Sequence, residues 1–78
     1  MIKDPMIQIR NNRFNSIRNK LCTALEMIDS DKLCGHEIDE VYCIADNLIE
    51  TSHIDGMITS KHANELYEWL GKIEPYTN

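Results

Sequence analysis

Three cysteines and three histidines are the side chains of this 78-residue sequence best suited to chemistry. Cys34, His36 and Cys43 lie close together along the chain, Cys22 precedes them, and His53 and His62 follow. Four such ligands converging would make a tetrahedral zinc site. Their spacing matches no compact knuckle or ribbon, and Cys43 projects off the apolar stripe of its helix. No metal is therefore assigned, and a zinc-stabilised Cys/His module stays an alternative reading. A thiol and an imidazole can also form a nucleophile and its base, but activation needs a depressed thiol pKa and a cleft. Three short helices leave little room for a pocket of several hundred cubic ångströms. The expectation is a chain that is not an enzyme and carries no cofactor. An odd cysteine count without a CxxC pair reads as free thiols in a reducing compartment, buried as small hydrophobes.

The stretch "ETSHIDGMITSKHANELYEWL" (50–70) resembles the second half of a calcium-binding helix-loop-helix in its Asp55-Gly56 turn and Ile58. That loop needs oxygen ligands at positions 1, 3, 5 and 12 around a glycine at 6. With Gly56 at position 6, these positions hold Thr51, His53, Asp55 and His62. Upstream, Asp29, Asp31 and Glu40 fit positions 1, 3 and 12, but Leu33 and Cys34 occupy 5 and 6. Neither segment can hold a hard cation. The Asp-Gly stretch reads as a turn and a helix cap.

Charge is unevenly placed. Residues 1–20 carry Lys3, Arg10, Arg13, Arg18 and Lys20 against Asp4 alone, net +4, whereas residues 21–78 carry three lysines against twelve carboxylates, net −9. The whole chain is at −5. The basic segment supports an alternative reading as a nucleic-acid-associated regulator using Arg10, Arg13, Arg18 and Lys20. Against it, a helix-turn-helix needs a turn of three or four residues, and the connection expected here (51–58) is longer. Its would-be recognition helix offers Lys61, His62, Asn64, Glu65 and Glu68, which is net negative. Nucleic acid is thus not the expected partner.

These side chains are carried on three helices, expected over about 12–29, 36–50 and 60–72 of one domain spanning 1–78. Phe14, Ile17, Leu21, Ala24, Leu25 and Ile28 recur at steps of three and four. Ile38, Val41, Tyr42, Ala45, Leu48 and Ile49 repeat the spacing, with Ile44 widening the stripe. Ala63, Leu66, Tyr67, Leu70 and Ile73 form the third stripe, flanked by Trp69 and closed near Gly71 and Pro75. Glu37, Asp39 and Glu40 sit in the first turn of the second helix, where they favour the positive end of its dipole. Pro5 is expected to leave "MIKDPMIQIR" as an irregular, extended arm that pairs with "GMIT". The fold expected is all-α, a small three-helix bundle with an irregular N-terminal arm. No run reaches the ~18 apolar residues of a membrane span, and no secretory signal is recognised, so a cytoplasmic location is expected.

On the second helix, Asp39, Asp46 and Glu50 fall within about 40° of one another at 100° per residue, with Cys43 beside them and Glu40 and Asn47 extending the polar side. A negative band on a rigid helix suits docking to a basic surface. Met27, off its own stripe, joins Met57, Trp69 and Tyr76 as apolar side chains suited to a contact patch or to packing on the arm. The reading is a small acidic protein-protein interaction module, an inhibitor or regulator of a host or cellular protein, of the kind phages and mobile elements encode. Its partner would be a protein with a basic surface, and a nucleic-acid-handling one would have its phosphate sites blocked by the carboxylates. A chain this short buries a thin core, which makes homodimerisation a further expectation.

Overall fold

The computed structural model describes residues 4–77, so Met1, Ile2 and Lys3 of the expected arm lie outside the described residues. Three α-helices follow one another: α1 (Pro5–Asp29), α2 (Gly35–Ile54) and α3 (Ser60–Ile73), then a short 3₁₀ turn over Glu74–Tyr76. No strand occurs among the described residues. The all-α three-helix architecture is as expected. The extended arm and its pairing with "GMIT" are not.

The reason is local to Asp4 and Pro5. Asp4 is the N-cap, its carboxylate accepting the Met6 N–H at 2.9 Å, and Pro5 occupies the first turn. There the missing proline N–H costs nothing and the fixed φ favours the helix. Pro5 therefore starts α1 instead of blocking it. Pro75 likewise sits inside the 3₁₀ turn, so Gly71 does not end α3.

Both five-residue connections close their helix in the same way. After α1, Lys32 N–H bonds to Met27 C=O and Asp31 N–H to Ile28 C=O, with Asp31 at φ 57°. After α2, Met57 N–H bonds to Ser52 C=O and Gly56 N–H to His53 C=O, with Gly56 at φ 75°. Each is a Schellman closure around a left-handed residue, a conformation that suits glycine and strains aspartate. Thr59 opens α3 by accepting the His62 N–H at 3.1 Å, and its own N–H donates to His62 Nδ1 at 3.4 Å.

The core is Phe14, Ile17, Leu21, Ala24 and Ile28 from α1, Ile38, Ala45 and Ile49 from α2, and Ala63, Leu66, Leu70 and Ile73 from α3. Ile58, from the α2–α3 connection, joins it at 2% exposure. Six stripe positions depart from expectation. Leu25, Val41, Tyr42 and Leu48 are half-buried, Tyr67 is exposed, and Ile44 is 65% exposed. Two polar ties fasten the end of the bundle that holds the second connection. Arg10 Nε donates to the Gly56 C=O at 2.9 Å, and His53 Nε2 hydrogen-bonds Ser60 Oγ at 3.1 Å.

Candidate functional site

The three helices leave three seams of different chemistry. Between α2 and α3 lies the acidic band. Asp46 is half-buried and Glu50 exposed on α2, with Asp39 half-buried nearly two turns before Asp46 on the same side. Two phenols border them. Tyr67 stands close enough to Asp46 and Glu50, and Tyr42 to Glu74 and Asp46, for those carboxylates to act on their protons. Burial is the main force pushing both phenols above their ordinary value near 10, and the neighbouring negative charges add to it, Cys43 included at Tyr42. Tyr76, 49% exposed, follows Glu74 in the 3₁₀ turn. The other two residues of the expected band, Glu40 and Asn47, are exposed on the outward face of α2, about 60–80° around the helix from Glu50. The tyrosines were missed as site residues because Tyr42 and Tyr67 also satisfy the apolar helical period.

The α1–α3 seam is aromatic and cationic. The Phe14 and His62 rings stack at 4.6 Å and 16°, with the Arg18 guanidinium 5.5 Å from the Phe14 centroid. Lys72 Nζ lies 4.1 Å from the Trp69 ring. The four basic residues considered for nucleic acid do not gather on one surface. Arg10 is tied to Gly56, Arg18 lies over Phe14, and Lys20 faces the opposite seam with Arg13 on the same row. The turn before α3 is five residues long, shorter than the sequence implied, because α2 runs on to Ile54. His62, one of the residues a recognition helix would have offered, is held by its stack on Phe14 and its bond to Thr59.

Between α1 and α2 the bundle is open. A groove of about 510 Å³ is walled by Leu21, Ala24 and Met27 on one side and Val41, Ile44 and Leu48 on the other. Such a volume corrects the expectation that three short helices leave little room for a pocket. Its walls carry no thiol, imidazole or carboxylate, and Lys20 is their one titratable side chain. The groove is built mainly for apolar contact, with Asn19, Lys20 and Thr23 as its polar lining residues.

The thiols are spread out. Cys22 is half-buried, and Cys34 and Cys43 are exposed, so the expected burial of free cysteines holds only in part for one. Among the described residues no three His, Cys, Asp or Glu side chains come together to hold a metal ion. Nor is any described helix long and apolar enough to cross a membrane. His36 sits 3.8 Å from Glu40 in an exposed pair that contributes little. No protein-family profile, characterised protein or solved structure matches this chain significantly.

Proposed function

We propose that the chain is a protein-binding module, an inhibitor or regulator that docks the α2–α3 ridge on a basic surface of a partner protein. The observation that carries this reading is the pairing of Asp46 and Glu50 with Tyr42 and Tyr67 on two packed helices. Carboxylates supply steering and orientation, and rigid aromatic rings supply the contact energy that charge alone does not. A lone acidic face would be a solvated one, whereas acid interleaved with half-covered phenols has the composition of an interface. Arginine-rich partners fit best, because guanidinium pairs with carboxylate and stacks on the phenol ring. A partner that itself binds nucleic acid would meet carboxylates where it expects phosphates.

The test is capture from the native cell with wild-type bait and with the Asp39→Lys/Asp46→Lys/Glu50→Lys variant. Proteins retained by the wild type, displaced by salt and lost with the folded variant support the ridge. A variant that retains the same proteins contradicts it.

A further inference from the structure

We propose that the α1–α2 groove is the seat of a second copy of this chain, with α1 of each protomer lying over α2 of the other about a two-fold axis parallel to both helices. Ile44 is 65% exposed at the rim of an apolar groove that nothing among the described residues covers. A second copy would bring the same surface, Met27 and Ile44 included, and both grooves would close at once.

Charge says which occupant fits and how it lies. Seven residues is nearly two helical turns, so Arg13, Lys20 and Met27 form one row along α1, and Glu37, Ile44 and Thr51 form one row along α2. Glu40 stands beside Ile44, about one turn nearer the start of α2. One lip of the groove is thus basic and the other acidic. Lys20 is nine residues from the end of α1 and Ile44 nine residues from the start of α2, so the two lie level in the antiparallel pair. A two-fold axis along the helices keeps that level. It lays the aliphatic stem of Lys20 across the partner copy's rim at Ile44, with the ammonium about 6 Å along the axis from Glu40, within reach of the side chain. The other face-to-face arrangement, with the axis across the helices, sets α1 on α1 and opposes like charges. The chosen geometry makes an antiparallel four-helix layer at the junction.

Sedimentation velocity of the full chain, from about 10 to 500 µM to cover a small interface, reads the result directly. A rise from 9.1 kDa to twice that mass is expected. Ile44→Glu, at a position already exposed, should keep the helical signal and stay monomeric. Lys20→Glu and Glu40→Lys should each weaken the dimer at least tenfold. Mixing those two variants should restore it, as should combining both changes in one chain. Asp46→Lys/Glu50→Lys should leave the mass unchanged, which separates this proposal from the ridge. A wild-type chain that stays monomeric throughout overturns the second copy and leaves the groove to another occupant, such as a partner's amphipathic helix. A dimer that survives Ile44→Glu overturns the placement, and one indifferent to both charge reversals overturns the orientation.

Discussion

The α2–α3 seam and the α1–α2 seam are built from the same apolar period, yet one is shut and the other open. Across α2–α3, Ile49, Leu66 and Ile73 reach full burial and Ile58 plugs the end from the connecting turn. Only the rim, with its tyrosines and carboxylates, is left to meet a partner. Across α1–α2, the small buried residues Ala24 and Ala45 line the floor of the groove beneath Ile44, which is exposed at its rim, and the space stays open. Apolar surface alone therefore does not separate core from contact surface here. The size of the facing residues and the presence of a plug do.

The largest expected effect is a direct contrast between the seams. Leu66→Ala should cost about 2–5 kcal/mol in chemical denaturation, because it empties a site with no exposure. Ile44→Ala should cost less than about 0.5 kcal/mol at protein concentrations where the chain is monomeric. Equal losses would show that the groove is packed as tightly as the core.

The two helix closures sharpen the picture at a smaller scale. Gly56→Ala places a Cβ at φ 75° and should cost about 1–2 kcal/mol, strain alone being responsible since nothing lies within 4 Å of that Cβ. Asp31→Gly relaxes the matching position at φ 57° and should gain about 0.5–1 kcal/mol. Denaturation midpoints of the two variants should move in opposite directions.

Titration gives the smallest effects. Tyr42 and Tyr67 have phenols raised in the folded state, so they favour folding fully below the unfolded value near 10 and lose that contribution as pH rises through the folded values. Replacing both with Phe should flatten the alkaline fall in stability. Glu37 behaves in the opposite sense. Its carboxyl is lowered by the Cys34 side chain first and then by the Cys34 N–H, which donates to Oε1 at 3.3 Å. Its contribution is present above its ordinary 4.5 and fades as pH falls through the folded value, so Glu37→Gln should reduce the loss of stability in acid.

The helices and most of the core were legible from periodicity, because the inward stripes of Phe14–Ile28 and Ala63–Ile73 leave few alternatives. The start of α1 was not, since Pro5 read as a breaker until Asp4 supplied its cap. Ile58 was invisible to a helical period because it sits in a turn. Met27 looked like a stray on its wheel, and Ile44 only widened its stripe. Only the packing of α1 on α2 sets them across one groove, a pairing that neither helix encodes alone. The acidic triplet was legible as a band. Its tyrosine borders were not, because Tyr42 and Tyr67 match the spacing of core residues while their rings reach the rim.

The most direct measurement places a photo-crosslinking side chain at Tyr67 and, as a control, at Asn15 on the far side of α1, in the cell that makes the chain. The account predicts a defined crosslinked protein from position 67, carrying arginine or lysine at the attachment site, and none from position 15. A product from position 15 alone, or attachment from 67 to an acidic or purely apolar surface, would contradict it.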